Sequence, residues 1–267
     1  MKLAIVTPTG GRPEAMALCA RWMSQQTFLR LNEREVDWEW IVIDDVAKID
    51  RVPGYFSELF PWYDSSSSER PTNIFIREPS WQPGQNTQKV NLETALNCLT
   101  YNELDPAILE AEAIAFIEDD DWYAPNYLED MVAKLDEGYD IVGEANARYY
   151  HVPTGRRRQL QNVEHASLCQ TVIRAELLPL FRKALDSNER YFDIVLWQLV
   201  TKHKLRRFLF PESERCVGIK GLPGREGIGN GHAPNSHWKE DTTGSFLQSW
   251  VGAEAAKFYE PFRMKFS

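Results

Sequence analysis

The stretch Ala113-Ile114-Ala115-Phe116-Ile117-Glu118-Asp119-Asp120-Asp121-Trp122-Tyr123-Ala124-Pro125 decides the fold class of this chain. Its apolar residues run directly into four carboxylates, which predicts a buried strand with the acids at its C-terminal end. In open α/β sheets that edge binds ligands. Adjacent carboxylates repel one another unless a cation neutralises them, and their oxygens suit Mg²⁺ or Mn²⁺. The alternative interpretation is a solvated acidic surface loop.

The rest of the chain alternates between predicted strands and helices. Strands are predicted at 2–7, 38–43, 73–76, 113–118, 139–144, 167–173 and 206–210. Helices are predicted at 13–26, 84–101 and 125–135, with Pro13 and Pro125 as the first residues of two of them. This alternation predicts an α/β fold, a doubly wound, mixed and mostly parallel sheet within a single domain spanning 1–267.

Composition sets the outer limits on function. The chain has 267 residues, of which 43% are hydrophobic and 26% charged, with a net charge of −9. That charge argues against a dedicated nucleic-acid-binding surface. Four cysteines are scattered without metal-ligand spacing, so we expect reduced thiols. No apolar run approaches the ~20 residues of a membrane span, and no signal-peptide pattern is present, so we expect a cytoplasmic protein.

Two strand ends carry residues that suit a nucleotide. The turn Pro8-Thr9-Gly10-Gly11-Arg12-Pro13 offers backbone N–H groups and a guanidinium, although such turns are common. Asp44 and Asp45 follow the second strand, where a carboxylate could accept the N–H of an imide base edge. Taken alone, Asp-Asp after a strand is more often a turn or a helix cap. Lys89, early in its helix, is expected to point back toward the strand ends.

These motifs together resemble the GT-A glycosyltransferases, in particular the family 2-like enzymes that use nucleotide-diphosphate sugars. Three segments match in order over roughly the first 150 residues: the first-strand turn, Ile41-Val42-Ile43-Asp44-Asp45, and Phe116–Pro125. The resemblance implies that the nucleoside is held by Thr7, Pro8, Thr9, Arg12, Asp44 and Asp45. Glu118-Asp119-Asp120 falls on the family's Asp-x-Asp motif, so Asp120 is the implied metal ligand. Glu118 or Asp119 would touch the ribose.

The second half must supply a base and acceptor contacts. Asp193 is the only acid in a nearly apolar helix predicted over 191–200, where it could be a helix cap. The resembling family opens the corresponding helix with a Glu-Asp pair that carries its catalytic base. The resemblance therefore implies that Asp193 is the base, although Phe192 replaces the partner acid. A final helix is predicted over 244–259.

A glycine-rich segment lies between the helix predicted over 191–200 and the final helix. Six glycines between Val217 and His232 predict a loop that closes over the donor, with Lys220 and Arg225 on the diphosphate. Several GT-A enzymes use a late histidine as a metal ligand, so the resemblance offers His232 for that role, with an ordinary surface histidine as the alternative. The run 156–158 (Arg-Arg-Arg) is interpreted as a solvated loop or a phosphate contact.

The resemblance implies a transferase dependent on Mn²⁺ or Mg²⁺ that moves a sugar from a nucleotide-diphosphate donor, a UDP-sugar above all, to an acceptor hydroxyl with inversion. Residues 1–150 would bind donor and metal, and 151–267 the acceptor. Three alternatives stay open. One is a nucleotidyltransferase, which would need a richer phosphate loop after the first strand, and another is a non-catalytic nucleotide-sugar-binding module. The third is a glycosyltransferase acting on modified nucleic acid, for which 156–158 and 202–207 are local basic runs.

Overall fold

A computed structural model of the protein describes residues 1–30, 38–45, 72–76, 87–100, 111–187, 189, 191–224 and 233–264. The strands within these ranges are β1 (Leu3–Thr9), β2 (Trp38–Asp44), β3 (Thr72–Ile76), β4 (Ala113–Phe116), β5 (Trp122–Tyr123), β6 (Ile141–Glu144), β7 (Arg148–His151), β8 (Arg156–Gln159), β9 (Thr171–Arg174), β10 (Arg207–Phe210), β11 (Cys216–Lys220) and β12 (Lys239–Glu240). The α-helices are α1 (Pro13–Ser24), α2 (Thr27–Arg30), α3 (Thr87–Thr100), α4 (Tyr127–Asp136), α5 (Leu178–Leu185), α6 (Phe192–Lys202), α7 (Ser245–Val251) and α8 (Ala253–Lys257).

The larger sheet has seven strands in the order β10-β6-β9-β4-β1-β2-β3. Its strand pairs are parallel except those of β9, which runs antiparallel to both β4 and β6. This arrangement confirms the predicted mixed, mostly parallel α/β fold. A second sheet of five strands, in the order β12-β8-β7-β11-β5, was not predicted.

The centre of the larger sheet positions the carboxylates. β1 and β4 are buried along their whole length, as their continuous apolar runs predict, and they pair in parallel from Leu3↔Ala113 to Val6↔Phe116. The N–H of Ile117 extends this pairing by donating to the carbonyl of Val6 at 2.9 Å. Because parallel strands end at the same edge, the turn after β1 and the four acids after β4 lie side by side.

Helices cover both faces of this sheet. α1 belongs to the core on one face, whereas α3, α5 and α6 contribute to the core on the other. The C-terminal region is anchored to α1 because the indole N–H of Trp22 donates to the hydroxyl of Tyr259 at 3.0 Å. Among the described helices, none has the length and apolarity to cross a bilayer.

The segment between the acids and α4 differs from the prediction. Pro125 is not the first residue of a helix, because α4 starts at Tyr127 with Asn126 as its N-cap. The acids lead first into β5, which pairs antiparallel with β11. This pairing continues where the N–H of Ala124 donates to the carbonyl of Arg215 at 2.8 Å. The extended conformation here is therefore stabilised by a strand about 90 residues away, which the local helical signal does not show.

The glycine-rich segment was predicted wrongly at its start. Its first residues form β11, which is buried throughout and lies between β7 and β5. Gly218 is needed for packing, because a Cβ there would lie 2.5 Å from Cδ1 of Tyr149. Residues 225–232, which include Arg225 and His232, lie outside the described residues.

Three further expectations need correction. The run 156–158 belongs to β8, a strand paired with β7 and β12, and is not a loop. The single final helix is divided at Gly252, which has φ = 85°, into α7 and α8. The strand expected at 167–173 begins as a 3₁₀ turn over Leu168–Gln170 and becomes extended only in β9.

Candidate active site

The four acids that follow β4 are mostly buried. Asp119, Asp120 and Asp121 are 3%, 2% and 1% exposed, which excludes the interpretation of a solvated acidic loop. The side chain of Glu118 is 22% exposed and therefore retains access to solvent. Buried carboxylates need cations or hydrogen-bond donors. The structure supplies both from distant parts of the chain.

Arg12, in the turn after β1, neutralises two of these acids. Its Nη1 lies 2.8 Å from Oδ1 of Asp119, and its Nη2 lies 2.9 Å from Oδ2 of Asp120. Burial acts to lower the pKa of Arg12, but the charges of Asp120 and Asp119 outweigh it and raise that pKa. The structure places the Arg12 guanidinium on the carboxylates, and the nucleoside contact implied by the resemblance stays a prediction.

Lys220, at the end of β11, is the second cation. Its Nζ lies 2.9 Å from Oδ1 of Asp121, 3.1 Å from Oδ1 of Asp120 and 3.3 Å from Oε2 of Glu118. The residue is only 5% exposed, and the three carboxylates raise its pKa against the opposing effect of burial. The prediction that Lys220 binds a diphosphate did not include these contacts, because the sequence does not reveal that β11 reaches the acids.

Among the described residues, the acids outnumber the cations that form salt bridges with them. When all four carboxylates are ionised they carry −4, and Arg12 and Lys220 carry +2, which leaves −4 + 2 = −2 over these six side chains. Burial raises the pKa of Asp119 to about 6, and Arg12 offsets this only in part. Burial likewise raises the pKa of Asp121, against the opposing effect of Lys220. The group therefore favours additional positive charge.

A divalent cation fits this group. Glu118, Asp120 and Asp121 each offer a ligand oxygen, and these atoms lie within 4.8 Å of one another. In addition, Oδ2 of Asp121 is buried and has no hydrogen-bond partner among the described residues, which is unusual for a carboxylate oxygen. Hard divalent ions prefer such an all-oxygen set. Asp121 is the ligand candidate that the motif alignment missed, whereas Asp120 was anticipated.

The first strand supports the acids. The hydroxyl of Thr9 donates to Oδ2 of Asp119 at 2.7 Å, so both oxygens of Asp119 have protein partners. Thr7 is fully buried, and its hydroxyl accepts a hydrogen bond from Nε1 of Trp40 at 2.9 Å. Pro8 is buried within β1. The side chains of Thr7 and Thr9 therefore bind protein groups in this structure, and their contact with the nucleoside stays a prediction.

The acids after β2 lie at the same edge of the sheet. Asp44 pairs in register with Thr9, and the N–H of Asp45 donates to the carbonyl of Thr9 at 3.4 Å. Asn91 on α3 bridges these strands, since its Nδ2 donates to that carbonyl at 2.9 Å and to Oδ2 of Asp45 at 3.3 Å. The structure thus brings the predicted base-binding acids beside the β1 turn, as the motif order implied.

Helix α3 contributes a residue that the sequence interpretation overlooked. Gln88, which precedes Lys89, donates from Nε2 to Oε1 of Glu118 at 2.9 Å. Nζ of Lys89 lies 3.7 Å from Oε1 of Glu93 on the same helix. Gln88 has no distinguishing sequence signal, because a glutamine in the first turn of a helix is unremarkable.

Asp193 lies at the start of α6. Burial raises its pKa to about 6, and the charge of Glu118 contributes to the increase, so the two carboxylates interact electrostatically. The N–H of Ile194 donates to Oδ1 of Asp193 at 3.0 Å. Tyr149 on β7 also interacts electrostatically with Lys220 and Glu118, and burial raises its pKa.

A comparison with models of protein families finds a match over part of the chain. Residues 106–199 match the model of the family described as Glycosyl transferase family 2, which is about a third of the chain. The matched segment contains β4, all four acids and Asp193. This match confirms the resemblance to family 2-like glycosyltransferases and supports a glycosyltransferase as the class of enzyme.

Solved structures provide more distant similarities. S. aureus TarS has a TM-score of 0.49 and 13% identity, covering 82% of this chain and 37% of TarS. TarS 1–349 in complex with UDP-GlcNAc has a TM-score of 0.47 and 15% identity, covering 88% of this chain and 61% of the other. The chain thus spans less than two thirds of the length of these neighbours. A comparison with curated proteins finds no significant match in sequence.

Proposed function

We propose that the protein is a metal-dependent glycosyltransferase that moves a sugar from a UDP-sugar to an acceptor hydroxyl with inversion. One observation carries the proposal. Asp193, whose pKa burial raises to about 6, interacts electrostatically with Glu118, one of the three carboxylates whose oxygens could hold a metal ion. A carboxylate with a raised pKa, as suits a general base, is thus electrostatically linked to a candidate cation site.

The donor would lie along the C-terminal edge of the larger sheet. Asp44 and Asp45 would accept the imide N–H of uracil, because they lie beside the β1 turn at the end of β2. Glu118 is the more accessible of the two ribose candidates, since its side chain is 22% exposed whereas that of Asp119 is 4% exposed. Free thiols at the described cysteines suit the cytoplasmic location that is part of the proposal.

Glu118, Asp120 and Asp121 would hold Mn²⁺ or Mg²⁺. When bound, the ion neutralises charge on the leaving diphosphate. Arg12 and Thr9 position the neighbouring Asp119 and Asp120 through hydrogen bonds, so that their oxygens need little rearrangement when the donor arrives. Arg225 and His232 remain proposals from the resemblance, as further donor and metal contacts.

Asp193 would act as the general base. Its carboxylate takes the proton of the acceptor hydroxyl while the acceptor oxygen forms a bond to the anomeric carbon. The bond from that carbon to the diphosphate oxygen breaks on the opposite face, and its electron pair leaves with UDP. Inversion follows from this single displacement. Asp193 regains its carboxylate form when the proton passes to solvent.

A donor screen tests the proposal. UDP-sugars are added to the full chain with and without Mn²⁺, and both the thermal midpoint and UDP release are measured. A true donor at 100 times its Kd should stabilise the fold by ~2.7 kcal/mol, and only with metal. Stabilisation by nucleoside triphosphates with release of pyrophosphate would indicate a nucleotidyltransferase instead. Donor binding without turnover on any hydroxyl acceptor would indicate a binding module.

A further inference from the structure

Lys220 contacts the same three carboxylates that could hold the metal. Its Nζ lies 2.9 to 3.3 Å from one oxygen each of Asp121, Asp120 and Glu118. The candidate ligand atoms of those residues lie within 4.8 Å of one another. An ion placed among them would lie within a few ångströms of the ammonium, and two cations at that separation repel strongly.

Building on the function proposed above, we propose that Lys220 is a resident cation that occupies the metal position in the donor-free protein. The divalent ion then enters together with the nucleotide diphosphate, and the Lys220 ammonium transfers from the carboxylates to a phosphate oxygen. Metal binding without nucleotide is correspondingly weak.

The backbone of Lys220 is anchored while its side chain keeps rotatable bonds. The N–H of Ile219 donates to Oδ1 of Asp121 at 2.9 Å, and the carbonyl of Lys220 accepts the N–H of Val152 at 2.9 Å. Four side-chain torsions separate this fixed backbone from Nζ. The ammonium can therefore swing to a neighbouring anion without displacing β11.

A partner anion is needed for this movement. Lys220 is 5% exposed, so an ammonium pushed off the carboxylates by a free ion would remain buried without a counter-charge. A diphosphate supplies that counter-charge at the moment when the ion takes the carboxylates. This requirement couples the binding of metal to the binding of nucleotide.

Arg12 does not compete with the ion in the same way. Its salt bridges are to Asp119 and to a different oxygen of Asp120, Oδ2, and it interacts with Asp121 electrostatically. Among the described residues, Oδ2 of Asp121 has no hydrogen-bond partner and is available in either state. Of these two cations, Lys220 is therefore the one that competes directly with the ion.

The test is a titration of the nucleotide-free full chain with Mn²⁺, in which free Mn²⁺ is measured by electron paramagnetic resonance. Lys220→Met should bind Mn²⁺ about tenfold or more tightly than the wild type, because apparent affinity scales with the fraction of molecules whose site is free. With UDP present the order should reverse, since the variant lacks the ammonium that would contact the phosphate. Lys257→Met, at an exposed position, is the control and should match the wild type in both titrations.

Two results would overturn the inference. One is equal Mn²⁺ affinity of Lys220→Met and wild type without nucleotide, with both chains folded by circular dichroism. The other is a wild type that binds Mn²⁺ as tightly without UDP as with it, and this measurement needs no variant should Lys220→Met fail to fold. A chain that shows the Lys220 effect but turns over no UDP-sugar would contradict only the proposed function.

Discussion

Nη1 of Arg12 and Oδ1 of Asp119 lie 2.8 Å apart although 107 positions separate them in the chain. The arginine follows β1 and the acid follows β4. Because those strands are parallel neighbours, both residues reach the same edge of the sheet. Arg12 thus contacts the acidic group from the turn after β1, while Lys220 contacts it from the end of β11.

Arg12→Met should lower the free energy of unfolding by about 3–5 kcal/mol, because removing one partner leaves buried carboxylates uncompensated. Urea unfolding at neutral pH measures the loss. Arg207→Met is the matched control, since Arg207 pairs with the exposed Glu164 and should cost at most about 1 kcal/mol. Equal losses in the two variants would contradict the structural role assigned to Arg12.

Asp120→Ala should abolish the Mn²⁺-dependent part of UDP binding while leaving the circular dichroism spectrum unchanged. Asp120 lies at a strand end, where its removal takes away a ligand oxygen without opening the core. Isothermal titration calorimetry measures the binding, with Asp136→Ala at the exposed end of α4 as control. Unchanged UDP affinity in Asp120→Ala would remove this residue from the metal site.

Asp193→Asn should reduce turnover by ~10²–10⁴-fold, because the amide cannot accept a proton. Donor affinity should persist, since Asp193 is not assigned a donor contact. The amide oxygen of an asparagine can still accept the N–H of Ile194, so a purely structural Asp193 would tolerate this change. Turnover close to that of the wild type would therefore exclude Asp193 as the base.

The pKa of Asp193, about 6 against an ordinary 3.8, also predicts two pH effects. Turnover should fall about tenfold per unit as pH drops below about 6, because the protonated carboxyl is no longer a base. Stability should change in the opposite sense. The native state keeps this proton while the unfolded state loses it, so the Asp193 contribution to stability falls as pH rises from about 4 to about 6. Urea unfolding of Asp193→Asn against wild type across that range should show this contribution as a difference in slope.

Glu144→Ala should destabilise the fold by roughly 3 kcal/mol or more, since three buried or half-buried donors lose their acceptor. Glu144 is fully buried and accepts the backbone N–H groups of Glu214, Arg215 and Cys216 at 2.9 to 3.1 Å. These residues lead into β11. Urea unfolding measures the loss, and Glu137→Ala, whose glutamate is exposed, should change little. A small effect at Glu144 would mean that water replaces its hydrogen bonds.

The sequence by itself determined the larger sheet and the place of its ligand edge. The apolar runs at β1, β2 and β4 form buried strands, and acids follow directly where the apolar runs of β2 and β4 end, so the strand ends and the acidic edge are visible in the local sequence. Helix α6, with Asp193 at its start, was equally evident from its composition.

Only the tertiary structure decided which groups neutralise the acids. The glycine content predicted a loop where β11 forms. Gly218 instead packs against the ring of Tyr149, which lies 69 positions earlier in the chain (218 − 149 = 69), so the sequence around Gly218 does not reveal this contact. The contact between Lys220 and Asp121 likewise depends on β11 pairing with β5, across 99 positions. Such long-range pairing is selected by burial and charge balance over the whole fold, and no local pattern encodes it.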